Sequence, residues 1–409
     1  MPTQSWEVPA RGTRPPNRGE LIITAATELF HRHGYENVSM SSVAEAVNVT
    51  PTALYRHFRS KSHLLTAAVM REMGPVRQTI EDTRDSDLDT VAHGLARAAL
   101  KSDRLGLLWL REARGLPEQE YALLRSEVSH TMHMVSSLLA THRPELTDHD
   151  TRILAQSLCS VLSTTSTHPR ALPKKQYQRV LHEIILATAC LTPAPTHSEP
   201  PVPRTRGMAP SARRERLMQS ALTLWSEHGY AAVSLERVAS RANVAASHLY
   251  RQEFETKEHL LAALLSRGAE WVRYDMYRAL GSADNPYEGL VSLLASYVDF
   301  VADHHRYVTI LLRESRNLTG RAREQSKQTQ REYINEWVTL MRAVVPDLPE
   351  AEARLRVGVV VNVANDLART PKLRALAASR ATMKRLGRAI LAVPAPTGSV
   401  LSGPVQTPS

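Results

Sequence analysis

Residues 33–57 read HGYENVSMSSVAEAVNVTPTALYRH, and the fold is decided here. Upstream, Leu21, Ile22, Ala25, Ala26, Leu29 and Phe30 fall on one face of a helix. Gly34 suits the left-handed conformation that ends it. Ser39 is placed as N-cap of a short second helix, about Met40 to Val47. Val38 and Val43 are spaced to staple its start. Asn48 tolerates positive φ better than most residues and turns the chain into a third helix, capped by Thr50 and opened by Pro51. Ser60 caps a long fourth helix starting near Lys61, which Gly74-Pro75 is expected to interrupt. Two short helices joined by a tight turn make a helix-turn-helix.

The second of those short helices is the one such a motif inserts into the major groove. Thr50, Thr52 and Arg56 can bond base edges, and Pro51 and Ala53 can contact a thymine methyl. Tyr55, His57 and Lys61 suit phosphates, and Ser41 on the preceding helix is a further candidate for contact with DNA. Leu54 and Phe58 should face inward. The same pattern would also serve a packed helical domain with no role on DNA.

Residues 228–252 read HGYAAVSLERVASRANVAASHLYRQ and match the first stretch at an offset of 195. The second copy then gains one residue before His259-Leu260-Leu261 realigns with His63-Leu64-Leu65. Leu110-Arg111-Glu112-Ala113-Arg114 matches Leu312-Arg313-Glu314-Ser315-Arg316, and Pro144-Glu145-Leu146 matches Pro346-Asp347-Leu348, both at 202. The duplication therefore extends beyond the heads. The Glu and Arg of the Leu-Arg-Glu-x-Arg repeat are spaced for ion pairs within a helix. The second reading helix carries Ala245, Ala246, Ser247, His248, Tyr250 and Arg251, followed by Lys257. Glu236, Glu253, Glu255 and Glu258 fall near where phosphates should lie, so the first head is expected to dominate on DNA.

The run from Phe30 to Leu65, with its Leu-Tyr, His-Phe and Lys-Leu-Leu elements, resembles the TetR family of repressors, and the resemblance covers 18–68 and 213–264. It implies an all-α fold: two protomers, each a helix-turn-helix head on a helical ligand-binding and dimerisation domain. It implies phosphate contacts at Tyr55, His57, Lys61, Tyr250 and Lys257. The family usually has Gly in the turn where Asn48 and Asn243 stand. Family members pair through a four-helix bundle made by their last two helices, here about 147–165, 174–191, 349–369 and 372–393. Two copies in one chain imply an intramolecular pseudo-dimer on an asymmetric double-stranded DNA operator. The middle helices would enclose a cavity for a small hydrophobic, lipid-like effector. The aromatic-rich second copy is favoured for it, through Trp271, Tyr274, Tyr297, Phe300, Tyr333 and Trp337. The competing expectation is a ligand- or protein-binding module whose second head has degenerated.

Composition bounds the rest. The 409 residues are 43% hydrophobic and 22% charged, with net charge +10, which suits a soluble chain with an anionic partner. Arg outnumbers Lys 43 to 8, a skew expected of a high-GC bacterium. No apolar run of membrane-spanning length and no secretory signal occur, so a cytoplasmic location is expected. Cys159 and Cys190 are expected to be reduced and buried. There is no nucleophile elbow, Gly-rich phosphate loop or metal-ligand spacing, so neither an enzyme nor a cofactor is expected. The domains expected are an arm (1–17), a first head (18–68) and body (69–191), and a Pro-rich linker (192–210). A second head (211–264), a second body (265–393) and a tail (394–409) complete the chain.

Overall fold

The computed structural model describes residues 17–113, 116–167, 172–195, 210–245, 253–374 and 377–392. They form helices joined by short turns, with no strand among the described residues. Nearly all of the arm, most of the Pro-rich linker and the tail lie outside them.

The first head is α1 (Arg18–His33), α2 (Met40–Ala46), α3 (Pro51–His57) and the start of α4 (Lys61–Asp82). Its boundaries are the capping residues read from the sequence. Gly34 has φ 81° and closes α1 by donating to the Phe30 carbonyl. The Ser39 hydroxyl accepts the Ser42 N–H while Ser42 reaches back, a reciprocal capping box. Thr50 accepts from the Ala53 N–H at 3.2 Å and Ser60 from the His63 N–H at 3.0 Å. Asn48 and Asn243 sit at φ 52° and 51°, the left-handed geometry for which Gly is the usual choice. The expected interruption of α4 does not occur, because the helix runs through Pro75. A proline forfeits one backbone hydrogen bond, and the buried Met73, Val76 and Ile80 hold both sides of it in place.

The first body continues as α5 (Leu88–Ala99), α6 (Leu105–Leu107) with a wide π-type turn (Leu108–Glu112), α7 (Glu118–His142), α8 (Asp148–Thr167) and α9 (Lys174–Ala189). The second copy supplies α10 (Arg213–His228), α11 (Leu235–Arg241), α12 (Lys257–Leu280), α13 (Pro286–Asp303) and α14 (His305–Glu314). After a 3-10 turn (Ser315–Asn317) come α15 (Gly320–Val344), α16 (Glu350–Arg369), α17 (Pro371–Arg374) and α18 (Ala377–Leu391). The final helix, expected over about 372–393, is described as α17 and α18, with residues 375–376 between them outside the described residues. Helices α7 and α15, and α8 and α16, have the same lengths and are shifted by 202 residues.

The copies meet along a seam in which α8 packs on α16, and α9 on α16 and α18. The Ser160 hydroxyl donates to Asp366 at 2.8 Å, and the Asn362 amide donates to Thr164 at 3.2 Å and to the Ser160 carbonyl at 2.8 Å. Under the 202-residue shift Ser160 corresponds to Asn362 and Thr164 to Asp366. The Ser160–Asp366 and Asn362–Thr164 contacts are therefore mates about a pseudo-twofold axis, the reciprocity of an isologous interface. One cluster breaks that symmetry. Buried Arg356 pairs with Glu183 across the seam and with Glu352 at 2.9 Å, and Arg179 reaches Glu352 at 2.7 Å. The mate of Arg356 is Leu154, fully buried and apolar.

The hydrophobic interior is divided unevenly. The second head shares one continuous core with both bodies. The first head has its own, built around Ile22, Phe30, Val43, Leu54 and Leu65 and ending on Leu108 and Leu124.

Candidate nucleic-acid interface and cavities

Leu54 on α3 and Phe58 at its C-cap are buried in the first head's core and so fix which face points outward. Thr50, Pro51, Thr52, Tyr55, Arg56 and His57 are exposed, Tyr55 to 52%, and Ala53 is half-buried; Ser41 is exposed on α2. An unpaired exposed Tyr beside Arg and His is a polar, cationic face rather than a packing face. Lys61 is half-buried at the first turn of α4. Its Nζ donates to the Tyr35 carbonyl at 2.9 Å and stands 4.3 Å over the Tyr35 ring. An ammonium carries three donors, so this tie positions Lys61 and leaves capacity for a phosphate.

In the second head, Ala246, Ser247, His248, Tyr250 and Arg251 lie outside the described residues. Ala245 is exposed. Lys257 repeats the geometry of Lys61, its Nζ 4.1 Å over the Tyr230 ring. Burial lowers its pKa, while nearby Glu314 acts in the opposite direction. The acidic residues expected to repel DNA are partly engaged with protein. Glu253 faces Arg214 at 3.9 Å and its carbonyl accepts from the same guanidinium. Glu258 accepts the N–H and hydroxyl of Thr319 at 2.6 and 2.9 Å, and Glu255 faces His259 at 3.8 Å.

Each body encloses a cavity, about 350 Å³ in the first and about 370 Å³ in the second. In the second, Tyr297, Phe300, Tyr307 and Tyr333 line the wall. The Tyr297 hydroxyl donates to Asn365 at 2.9 Å and that of Tyr307 to the Leu265 carbonyl at 3.0 Å. Burial raises the pKa of all three phenols, which stay neutral donors. Trp337 is fully buried behind them, edge-on to Tyr297. Trp271 and Tyr274 are not part of this wall. They are 43% and 70% exposed on α12, as is Tyr277 at 63%, and the Trp271 ring lies 5.1 Å from that of His304. Aromatic content alone did not separate these exposed positions from those lining the wall.

The first cavity was not singled out in the sequence. It is lined by Trp109 and Tyr121, stacked at 6.0 Å, by Cys159, and by Asn362, Asp366 and Arg369 from the second copy. Most of its wall is first-copy residues without a distinctive sequence signal, and charged Asp366 and Arg369 arrive through the seam. Burial, with Asp366 nearby, pushes the Cys159 thiol up to about 12. Both cysteines are free, but Cys190, expected to be buried, is exposed where α9 ends. Among the described residues no helix is long and apolar enough to cross a membrane, and no His, Cys, Asp and Glu cluster could hold a metal.

The family model described as "Bacterial regulatory proteins, tetR family" matches residues 22–68 and again 217–264. The model "Tetracyclin repressor-like, C-terminal domain" matches 283–368. The chain is 25% identical over 139 residues to the HTH-type transcriptional repressor KstR2 of Mycolicibacterium smegmatis, covering 34% of this chain and 67% of that protein. It is 40% identical over 78 residues to the repressor KstR of the same organism, 19% of this chain and 38% of the relative. Over 83 residues it is 37% identical to that organism's transcriptional activator FasR, 19% and 37%. Most of the length of those last two relatives is thus left unmatched. Among solved structures, a regulator from Bordetella parapertussis aligns at TM-score 0.42 and 17% identity, over 44% of this chain and 95% of that one. The KstR2 structure from Mycobacterium tuberculosis aligns at TM-score 0.34 and 21% identity, over 45% and 93%.

Proposed function

The chain belongs to the TetR family of bacterial regulatory proteins, and we propose that it represses transcription by gripping an asymmetric operator as an intramolecular pseudo-dimer. The observation that carries this reading is the outward face of α3. Thr52, Tyr55, Arg56 and His57 stand exposed on a helix anchored by Leu54 and Phe58. Thr and Arg at the tip suit base edges, and Tyr, His and the nearby Lys61 suit phosphates. The seam supports pairing within one chain, because its buried Arg356 cluster has no counterpart across the pseudo-axis. Two heads whose recognition sequences differ call for unlike half-sites, about one helical turn apart. Two of the matched relatives are named repressors and one an activator, and repression is the sign we infer.

Release would follow from a small hydrophobic, lipid-like effector. The cavities, at about 350 and 370 Å³, are of ligand size, apolar with a few fixed polar groups. An occupant that fits the non-binding pose better weakens DNA capture by its differential affinity for the two poses.

The test is selection of duplexes from a random-sequence library by the full chain, followed by footprinting. The expected product is a duplex with two dissimilar half-sites whose affinity falls steeply with salt. A near-perfect palindrome overturns the asymmetric pseudo-dimer. A chain that enriches no duplex overturns the operator reading and leaves the ligand- or protein-binding module.

A further inference from the structure

The Leu-Arg-Glu-x-Arg repeat makes a different pairing from the one its spacing suggests. Glu112 ends the π-type turn of the first copy and is almost wholly buried. Its Oε1 accepts from Nη1 of Arg316 at 2.6 Å, and its Oε2 accepts the backbone N–H of Tyr35 at 2.8 Å. Arg316 closes the equivalent repeat of the second copy, so the ion pair crosses between copies. The carbonyl of the same Tyr35 is taken by Lys61. One residue of the first head therefore has its N–H fixed from the body and its C=O fixed by the lysine at the edge of the DNA-facing surface.

We propose that Arg316 is a positioning residue for the first head, acting across the copies through Glu112 on the Gly34-Tyr35 loop. The inference rests on the operator reading above for its consequence on DNA, but not for the clasp itself. Two further observations give it weight. The first head has its own hydrophobic core, whereas the second is continuous with the bodies, so its pose depends more heavily on polar ties such as this one. Arg316 also sits in the turn directly after α14, and Val308, Leu311 and Leu312 of that helix line the second cavity. An occupant that moves α14 changes the reach of Arg316 and so bears on the head of the other copy. Glu314 approaches Gly229 as Glu112 approaches Gly34, but it accepts from its own Asn317 at 3.0 Å. Arg114, the mate of Arg316, lies outside the described residues.

The experiment uses the full chain as wild type, Arg316→Ala and the milder Arg316→Lys. Hydrogen exchange is followed at the Tyr35 and Tyr230 amides without DNA. The two half-sites of a library-selected duplex are footprinted separately. The expected result for Arg316→Ala is roughly tenfold faster exchange at Tyr35, as a charge-assisted hydrogen bond loosens, with Tyr230 unchanged. Protection should fall at the first head's half-site alone, and Arg316→Lys should restore much of it. Unchanged exchange at Tyr35 overturns the clasp. Equal loss at both half-sites with a lower melting temperature overturns the positioning role in favour of a general brace. If no duplex is selected, the operator reading fails, and the exchange arm by itself decides the clasp.

Discussion

The two cavities occupy equivalent places in the two copies and are walled by different chemistry. Under the 202-residue shift, Val128, Thr131, Met132, Cys159 and Ser163 of the first become Gln330, Tyr333, Ile334, Val361 and Asn365 of the second. The first keeps small hydroxyls and a thiol and borrows Asp366 and Arg369 through the seam. The second is lined within its own copy and has replaced small residues with phenols and amides. A shared backbone with exchanged side chains teaches that the scaffold specifies where a pocket lies, while a handful of inward positions specify what it takes. The heads diverge likewise: Lys61 holds a carbonyl at the rim of an exposed face, and Lys257 sits over Tyr230 with Glu314 near by.

The comparison breaks first, if it breaks, on DNA. Tyr55→Ala combined with Lys61→Ala removes the two proposed phosphate partners, each worth about 1.5–3 kcal/mol as a charge-assisted bond. Affinity for the selected duplex should fall on the order of 10²–10⁴-fold. Lys257→Ala should cost less than about tenfold, and equal losses in a binding titration would make the heads equivalent. The next largest effect is in the cores. Trp337→Ala empties the space behind the second cavity and should cost about 3–5 kcal/mol in denaturant unfolding. Its mate Val135, also fully buried, should cost about 2 kcal/mol when cut to Ala.

A smaller effect is electrostatic and confined to the second copy. His305 is held neutral, its pKa lowered to about 4 by burial and by Arg374 and Arg306. The unfolded chain binds that proton near pH 6.5, so unfolding takes up a proton between about pH 4 and 6.5. The contribution is complete above about pH 6.5 and shrinks as pH falls to about 4. His305→Gln should flatten that part of a melting-temperature profile, and an unaltered slope would place the titration elsewhere. The smallest effect is chemical. Iodoacetamide at neutral pH should alkylate exposed Cys190 and spare Cys159, whose thiol is pushed up to about 12. Equal labelling of the two by mass spectrometry would mean that the first cavity is more open than its walls imply.

The helix-turn-helix was legible because its signals are local. Ser39, Thr50 and Ser60 are caps, Asn48 is a positive-φ residue, and Leu54 and Phe58 lie on one face of one short helix. The second cavity was half legible, since Tyr297, Phe300 and Tyr333 line it but Trp271 and Tyr274 face outward. Side-chain direction on α12 depends on which neighbours cover it, and composition carries no such information. The charged wall of the first cavity and the Arg316–Glu112 pair were not legible, because their parts lie about two hundred residues from their partners and meet only once the copies are docked. The helical spacing of Glu112 with its neighbours suggested a local partner, and tertiary proximity supplied a distant one.

The unsymmetrical Arg179–Glu183–Glu352–Arg356 cluster sits at a junction whose two sides are carried on one polypeptide. Separate subunits come apart on dilution, so their occupancy of a site depends on how much protein the cell holds. A tethered pair meets its mate at an effective concentration set by the connecting segment, commonly in the millimolar range. It needs no threshold of expression to assemble. On the proposed intramolecular pairing, a few copies per cell are as well paired as thousands, and noise in synthesis is kept out of the pairing step.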